Sequence, residues 1–246
     1  MWYQFFKVTI FRPLVRFGFR AELVGSENMP STGPVLLASN HVAAMDSVVI
    51  PAMLQRRMTF PAKADLFVGN KGIGSKIVAW FLKAIGMVPM DRSGGRASAS
   101  SLHAISDVLQ AGHVIGIYPE GTRSPDGRLY KGKTGAARMA LAYQVPVLPV
   151  GVLRTKKVTG WFGIPWLWRP KVIVGEPLDF SQLAGRTDAE TLRWVTDEIV
   201  AAIQQLTGQE YADVYAVRVK NGDLKEIGSD QFVQQRPGGG PPPLRG

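Results

Sequence analysis

His41 and Asp46 lie five positions apart in the sequence, and both side chains can hold or transfer a proton. The apolar run at residues 34–39, just before them, predicts a buried strand. On one regular helix their spacing would separate the two side chains by about 140°, so they meet only if His41 lies in the turn and Asp46 in the first turn of the next helix. A carboxylate bonded to one imidazole nitrogen fixes the tautomer and leaves the other nitrogen free to take a proton from an alcohol. A purely structural pair that caps the helix fits the same spacing.

Two further polar loops follow predicted strands and carry arginines suited to an anion. Arg92 follows one short strand, and Arg123 follows the next strand along the chain. Ligands bind at the carboxyl ends of strands in open α/β sheets, and the planar guanidinium fork matches phosphate. In the second loop, Glu120 can accept from hydroxyl groups, and Gly121 permits close approach of the backbone to a ligand. Taken singly, each loop is also compatible with an ordinary turn held by a salt bridge.

Alternating strands and helices are needed to position these loops, and the hydrophobic pattern predicts them. Apolar runs at residues 113–118 and 145–152 predict buried strands, and two prolines in the second run suggest an edge strand or a bulge. Residues 75–85 predict an apolar helix, packed in the core in the favoured interpretation and in contact with a membrane in the alternative, and residues 187–206 predict a long closing helix. The rhythm implies an α/β fold, a single domain whose mostly parallel central sheet is flanked by helices. The expected boundaries are an N-terminal segment at 1–21, the main domain at 22–206, a C-terminal extension at 207–233 and a disordered Pro/Gly-rich tail at 234–246.

Composition and charge exclude several classes of function. The 246 residues include no cysteine and three histidines, which excludes a disulfide scaffold and a cysteine nucleophile, and we expect no metal site. The absence of a G-x-S-x-G elbow argues against a serine hydrolase. The net charge is +10, and residues 1–180 hold 22 basic against 10 acidic side chains. Such a field attracts nucleic acid, anionic lipid or a phosphorylated substrate, and charge alone does not choose among them.

The first twenty residues combine aromatic side chains with arginines that recur every four positions. No apolar run is long enough to cross a membrane. The segment predicts an amphipathic helix in a membrane interface, with its arginines toward anionic headgroups, although a terminal helix packed on the core fits the same pattern. A Trp-rich loop at residues 161–168 is open to the same two interpretations. The predicted membrane contacts are Trp2, Phe5, Phe6, Arg12, Arg16, Trp161, Trp166 and Trp168.

Four blocks of sequence together resemble the glycerolipid acyltransferase family, of the 1-acylglycerol-3-phosphate acyltransferase type. The His-x4-Asp pair alone is a weak signal, but Tyr-Pro-Glu-Gly-Thr-Arg-Ser at 118–124, at the expected distance downstream, makes the set specific. The four blocks run from Asn40 to Asp46, from Gly86 to Arg92, from Tyr118 to Ser124 and from Val145 to Val150.

The resemblance implies transfer of an acyl group from an acyl-CoA or acyl-carrier-protein thioester to the free hydroxyl of a lysophospholipid, with no cofactor and no acyl-enzyme. His41 would be the general base and Asp46 its orienting partner, and backbone N–H groups after His41 are candidates for stabilising the oxyanion. The implied location is the cytoplasmic face of the cell membrane, with peripheral or monotopic attachment to its anionic surface. The positions that match acceptor-binding residues are Arg92, Glu120, Gly121, Thr122 and Arg123, with Lys63 as a further phosphate contact.

Departures from the family pattern leave the acceptor open. Ala43 stands where serine is frequent and Pro89 where a bulky apolar residue is usual, so glycerol 3-phosphate, another lysophospholipid or a glycolipid would be served by the same chemistry. A phosphate-loop pattern occurs at residues 127–134, yet such a loop needs a strand leading into its first glycine, and turn sequence precedes it here. A non-catalytic basic protein that binds lipid or nucleic acid is the alternative of a different class, although no nucleic-acid motif is recognised.

Overall fold

A computed structural model of the chain describes residues 2–70, 72–90, 105–156, 158–159, 165–224 and 228–243. These residues fold around one six-stranded sheet with helices on both faces. The α-helices with both ends described are α1 (Trp2–Phe6), α2 (Asp46–Met53), α3 (Ile73–Ala84), α4 (Gly135–Tyr143), α5 (Ala189–Thr207) and α6 (Ala216–Asn221). Residues 105–110 are helical as well. The strands are β1 (Glu22–Val24), β2 (Val35–Ser39), β3 (Met58–Thr59), β4 (Pro61–Lys63), β5 (Val88–Met90), β6 (Val114–Ile117), β7 (Leu129–Tyr130), β8 (Val147–Leu153), β9 (Val158–Thr159), β10 (Pro165–Trp166), β11 (Lys171–Val174), β12 (Tyr211–Ala212) and β13 (Val233–Gln234).

The N-terminal helix is a continuous helical stretch over residues 2–18, in which α1 leads into π-helical turns. Tyr3 and Val15 are buried against the rest of the protein, and Lys7 is buried as well. The Lys7 ammonium donates to the carbonyl oxygens of Gln55 and Arg56 at 2.9 and 3.1 Å, which pins the helix to the end of α2. Among the described residues, no helix is both long enough and apolar enough to cross a membrane.

The central sheet has the strand order β1-β11-β8-β2-β6-β3. β2 lies in the middle and pairs in parallel with β6 and β8, and β3 pairs in parallel with β6. β11 runs antiparallel to β8, and β1 follows β11 in parallel. Helices cover both faces, so the central strand β2 is almost entirely apolar, and every one of its residues is buried. The predicted mostly parallel α/β sheet is therefore confirmed.

β8 is an inner strand, so of the two alternatives that its prolines suggested the edge strand was wrong, and the bulge stays a prediction. It pairs with β2 on one side and β11 on the other. Pro149 lies where the ladder to β11 ends, since the last registered pair is Val150 with Val174. The carbonyl oxygen of Pro149 still accepts from the Gly175 N–H at 2.9 Å. The missing N–H of Pro149 therefore falls at the end of the β8–β11 ladder, where it interrupts little.

α3 is not the core helix that its apolar sequence suggests. Of its described side chains only Ala79 is buried, and Ile73 is 79% exposed. Phe81 packs on Phe6 and Phe11 of the N-terminal helix, with ring centroids 5.6 and 5.8 Å apart. α3 and the N-terminal helix therefore form a pair at one side of the domain, and much of α3's apolar surface faces outward.

A second, three-stranded sheet joins the C-terminal extension to the main domain. β12 pairs with β7 in parallel and with β13 in antiparallel fashion. β7 lies inside the phosphate-loop pattern at residues 127–134, and its two side chains are buried. The segment is thus a packed strand after the first glycine, with no strand leading into that glycine, and the phosphate-loop interpretation is wrong.

Residues 234–243 are mostly exposed and are joined to α5 and the residues before it by hydrogen bonds, and the predicted disorder of the tail stays a prediction. The Arg236 guanidinium donates to Glu198 at 2.6 Å, and the Trp194 indole N–H donates to the Gly240 carbonyl at 3.0 Å. Arg186 donates to the Pro243 carbonyl. Composition alone missed these contacts because they join tail groups to side chains roughly 40 to 60 positions earlier in the chain.

Candidate active site

His41 and Asp46 meet at the carboxyl end of β2, in the middle of the sheet. β2 ends at Ser39 and α2 begins at Asp46, so the loop between them places His41 in the turn and Asp46 in the first helical turn. The His41 Nδ1 lies 2.8 Å from the Asp46 Oδ2. Asp46 is fully buried, whereas the His41 side chain is 16% exposed. The contact occupies Nδ1 and leaves Nε2 as the nitrogen available for proton transfer.

The Asp46 carboxylate accepts hydrogen bonds from four groups. Oδ2 accepts from the imidazole and from the backbone N–H groups of Val42 and Ala43, at 2.7 and 2.8 Å. Oδ1 accepts from the Thr155 hydroxyl. These bonds hold the carboxylate in one orientation and therefore orient the His41 ring. They also occupy the two N–H groups that directly follow His41, so those groups do not serve as the oxyanion donors that the sequence suggested.

Thr155 reaches Asp46 because the chain turns sharply after β8. Arg154 has a φ of +59°, a left-handed conformation that is uncommon for a residue with a side chain. At the other side of the site, the Asn40 side-chain amide donates to the Val152 carbonyl and accepts from the Val152 N–H, at 2.9 and 2.8 Å. The Asn40 amide thus extends the β2–β8 pairing beyond its last backbone pair and fixes the start of the His41 loop.

Aromatic rings support the imidazole from one side. His41 stacks on Tyr118, with centroids 3.9 Å apart and planes 10° apart. Phe60 stacks in turn on Tyr118, at 5.2 Å. The Tyr118 hydroxyl lies 2.8 Å from the Ser47 hydroxyl, so the stack is tied to α2. The ring plane of His41 is therefore set by Tyr118 and its hydrogen-bonding direction by Asp46.

Glu120 is a buried carboxyl group that contacts the backbone of the His41 loop. Its side chain is 2% exposed, and its two oxygens accept from the backbone N–H groups of His41 and Tyr130, at 3.0 and 3.2 Å. The Ser124 N–H donates to the His41 carbonyl at 2.7 Å, so the loop at 120–124 hydrogen-bonds to both the N–H and the carbonyl of His41. This geometry supports a positioning role for Glu120, and its direct contact with an acceptor stays a prediction.

Burial raises the pKa of Glu120 to about 8, against the opposing effect of the two backbone N–H groups. The folded protein therefore holds a proton at pH values where the unfolded chain, with a carboxyl pKa of about 4.3, has released it. The stability that protonated Glu120 contributes is fully present below the carboxyl pKa of the unfolded chain. It falls as the pH rises from there and is lost once the pH passes the pKa of Glu120 in the folded protein.

Glu120→Gln is expected to remove most of this pH dependence. Between pH 5 and pH 8 the free energy of unfolding should fall in the wild type by about a few kcal/mol more than in the variant. Urea unfolding at several pH values measures it, with Glu176→Gln as the control because Glu176 is exposed. Parallel pH profiles for the wild type and Glu120→Gln would show that Glu120 does not change its protonation on unfolding.

Basic side chains lie around residues 121–123 of the loop at 120–124. Arg123 is exposed, and Thr122 accepts a hydrogen bond from the Lys220 ammonium at 2.9 Å. Gly121 has a φ of +71°, and a Cβ there would lie 3.1 Å from Lys133 Cδ. Lys133 therefore lies across the glycine. Two other residues predicted to bind the acceptor cannot be placed here. Arg92 lies outside the described residues. The backbone of Lys63 ends β4, but its side chain also lies outside the described part of the structure.

An apolar cavity of about 230 Å³ lies beside the His41 loop. Ala44 and Ser47 form its edge near the site, and Ser47 is the residue that bonds to Tyr118. The N-terminal helix and α3 form the other walls, with Phe6, Phe11, Phe81, Leu82 and Ile85 among the lining side chains. An alkyl chain placed in this cavity would have its end next to the turn that carries His41.

Most predicted membrane contacts that the structure describes are on the outer surface. Trp2, Phe5, Arg16 and Trp168 are exposed. Phe6 and Arg12 are partly buried, and Phe6 packs on α3. Trp166 is partly buried and packs edge-on against Phe19 at 4.9 Å, which matches the alternative of a loop packed on the protein. Trp161 lies outside the described residues.

Two residues of the site, Thr155 and Lys220, had no signal in the sequence. Thr155 lies 109 positions from Asp46, and Lys220 lies 98 positions from Thr122. Neither belongs to a recognisable motif, and both reach the site through the fold. Across the described ranges, no group of three or more His, Cys, Asp or Glu side chains could hold a metal ion.

Fold and site together define a class: an α/β protein with a His–Asp pair at the carboxyl end of a central strand and a loop lined by basic side chains beside it. A family model for acyltransferases matches residues 20–153. A 1-acyl-sn-glycerol-3-phosphate acyltransferase of Bacillus subtilis is 30% identical over 75% of this chain and 87% of its own length. The chain therefore belongs to the acyltransferase family.

Other similar proteins agree in kind but differ in length. A chloroplast 1-acyl-sn-glycerol-3-phosphate acyltransferase of Arabidopsis thaliana is 31% identical over 67% of this chain. The match covers 45% of that protein, so this chain spans about half the length of its chloroplast relatives. The crystal structure of a 1-acyl-sn-glycerophosphate acyltransferase from Thermotoga maritima aligns with a TM-score of 0.59 at 24% identity, covering 82% of this chain and 80% of that one. That alignment supports the fold.

Proposed function

We propose that this protein is an O-acyltransferase that moves a fatty acyl group from an acyl thioester to the free hydroxyl of 1-acyl-glycerol 3-phosphate, giving phosphatidate. The observation that carries the proposal is the His41–Asp46 pair, held at 2.8 Å with the carboxylate fully buried. Relatives named for this activity add support. Coenzyme A and acyl-carrier protein are both suitable carriers of the acyl group, and no further cofactor is needed.

The geometry supports direct transfer. His41 Nε2 takes the proton of the acceptor hydroxyl as its oxygen attacks the thioester carbonyl. The tetrahedral intermediate then loses the thiolate, and the imidazolium returns the proton to sulfur. One C–O bond forms, one C–S bond breaks, and no covalent acyl-enzyme is required. Asp46 stabilises the transient imidazolium and keeps the ring in the required tautomer.

Binding of the substrates uses two different surfaces next to the His41 loop. The cations around Arg123 suit the acceptor phosphate, and the apolar cavity beside Ser47 suits an alkyl chain. Holding both substrates against His41 turns a bimolecular step into an effectively intramolecular one, which supplies much of the rate.

The outer surface of the N-terminal helix and α3 suits contact with an anionic membrane, at its cytoplasmic face, by peripheral or monotopic attachment. Trp2 and Trp80 are both about half exposed, and their ring centroids are 6.1 Å apart. This contact makes the exposed apolar surfaces of the two helices continuous. The same two helices line the cavity, so a lipid substrate could pass from the membrane to the site without crossing water.

The test is release of free coenzyme A from palmitoyl-coenzyme A by the full chain. We expect release that depends on added lysophosphatidate and accumulates in step with phosphatidate. Parallel assays with glycerol 3-phosphate, other lysophospholipids and an acyl-carrier-protein donor define the acceptor and donor. A chain that transfers no acyl group to any of these acceptors would contradict the proposal.

Membrane contact is tested with Phe5→Ser combined with Phe17→Ser. Phe17 is 73% exposed and Phe5 51% exposed, so the double variant should fold normally. We expect its binding to vesicles of phosphatidylcholine and phosphatidylglycerol to weaken by tenfold or more, on the order of two lost aromatic insertions. The matched control is Val24→Ser with Val233→Ser, two exposed apolar residues outside the N-terminal helix and α3. Equal vesicle binding by the two double variants would remove the N-terminal helix from the contact.

A further inference from the structure

Three cations from different parts of the chain lie around the loop at residues 120–124. Arg123 belongs to the loop itself, Lys133 follows β7, and Lys220 comes from α6 in the C-terminal extension. Lys133 crosses Gly121, with Nζ 3.5 Å from where a Cβ would lie. The Lys220 ammonium donates to the Thr122 hydroxyl at 2.9 Å. The matched acyltransferase model ends at residue 153, well before α6.

The position of Lys220 is built into the fold. α6 follows directly from β12, which pairs with β7. The Lys131 N–H donates to the carbonyl oxygens of Ala212 and Val214, both at 3.2 Å, and the Lys131 ammonium pairs with Asp213 at 3.0 Å. Ala216, the first residue of α6, is fully buried in a small apolar cluster with Tyr130 and Ala212. The helix is therefore fixed against β7, and Lys220 faces the loop because of that packing.

The three cations differ from other basic residues nearby in forming no direct ion pair with a carboxylate, although the charge of Glu120 partly offsets the lowering of the Lys220 pKa. Within the described parts of the chain, no ion pair of 4.0 Å or less joins Arg123, Lys133 or Lys220 to a carboxylate. By contrast, Arg128 pairs with Glu210 and Asp230 at 3.1 and 2.5 Å. Burial lowers the pKa of Lys220, and the positive charge of Arg123 lowers it further. Like charges held together in this way favour the binding of an anion.

This anion site is next to the proposed base. Glu120 and Ser124, at the two ends of the loop, hydrogen-bond to the backbone of His41, and Thr122 lies between them. In a glycerol phosphate the free hydroxyl and the phosphate are separated by only a few covalent bonds. An acceptor whose hydroxyl meets His41 therefore has its phosphate near Thr122 and the ammonium of Lys220.

We propose that Lys220, supplied by the C-terminal extension, binds the acceptor phosphate together with Arg123 and Lys133 and makes the site selective for phosphorylated over neutral lysolipids. The proposal rests on the proposed function for the identity of the acceptor. It gives the C-terminal extension a direct part in substrate binding.

The test compares Lys220→Gln with Lys220→Arg and with Arg218→Gln. Arg218 is an exposed cation on the same helix, paired with Asp223 at 4.0 Å, so its variant controls for net charge and helix stability. We expect Lys220→Gln to raise the KM for lysophosphatidate about tenfold, with kcat within about twofold, as for the loss of one ionic contact. Lys220→Arg should keep most of the affinity. The preference for lysophosphatidate over monoacylglycerol, which has no phosphate, should fall in Lys220→Gln and stay at the wild-type value in Arg218→Gln.

An unchanged KM in Lys220→Gln would overturn the assignment, and so would an equal rise in Arg218→Gln. Calorimetric binding of lysophosphatidate separates this outcome from failure of the proposed reaction. If Lys220→Gln weakens binding while the wild type transfers no acyl group, the assignment holds and the reaction is wrong. If the wild type turns lysophosphatidate over but Lys220→Gln binds it normally, the reaction holds and the assignment is wrong. A wild type that neither binds nor acylates lysophosphatidate overturns both.

Discussion

His41→Ala is expected to lower acceptor-dependent release of coenzyme A by about 10³-fold or more, within the range for loss of a general base and its orientation. The imidazole is the group positioned to take the acceptor proton, because Asp46 engages its Nδ1 at 2.8 Å and leaves Nε2 free. The fold should persist, since the side chain lies at the surface of the site and its main packing partner, Tyr118, is also held by Phe60 and Ser47.

The measurement is the coenzyme A assay together with thermal unfolding. His113→Ala is the control, because His113 is exposed and its recorded hydrogen bonds are made by the backbone. His41→Gln adds a second test, since glutamine can hydrogen-bond to Asp46 but cannot act as a base. Turnover near the wild-type rate in either His41 variant would rule out the mechanism, whatever the fold.

Asp46→Asn is expected to separate orientation from charge. An asparagine oxygen in the place of Oδ2 can still accept from His41, Val42 and Ala43, while its NH₂ group donates to the Thr155 hydroxyl, which can accept as well as donate. The fold and the imidazole tautomer are then preserved, and the lost charge no longer stabilises the imidazolium. We expect kcat to fall by roughly 10² to 10⁴, with a modest loss of stability.

Asp46→Ala gives the matched comparison. It leaves the N–H groups of Val42 and Ala43 and the Thr155 hydroxyl without their acceptor, at a cost of about 3 kcal/mol or more in the free energy of unfolding. Urea unfolding and the coenzyme A assay on both variants distinguish the two effects. Asp46→Asn with full activity would mean that the carboxylate is structural, which was the alternative interpretation of the His–Asp spacing.

The elements nearest the site could be predicted because their signals are local. The apolar run ending at Ser39, the polar turn and the helix beginning at Asp46 follow one another in sequence, and their hydrophobic periods change where the structure changes. Spacing alone then required His41 to lie in the turn if it was to meet Asp46. The polar loop at residues 120–124 could be located in the same way, because Gly121 and Arg123 directly follow a buried strand.

Burial on the two sides of a helix could not be predicted so well. The apolar residues of α3 suggested a core helix, yet Ile73, Ile77 and Trp80 are exposed. A helix buried in the core and a helix with an exposed apolar surface can contain the same apolar residue types. Only the position of the helix in the fold distinguishes them. The position of β8 also depended on the fold. Its prolines suggested an edge strand, but the strand order places it inside the sheet.

The amino-acid sequence alone was sufficient for the α/β class, the acyltransferase resemblance and the His41–Asp46 pair, because each depends on residues within one short segment or on a pattern of segments in order. Tertiary structure decided the rest. Thr155 supports Asp46 because β8 lies beside β2, and Lys220 reaches Thr122 because β12 pairs with β7. Strand order and packing bring such distant residues together, and no local pattern in the chain records that pairing.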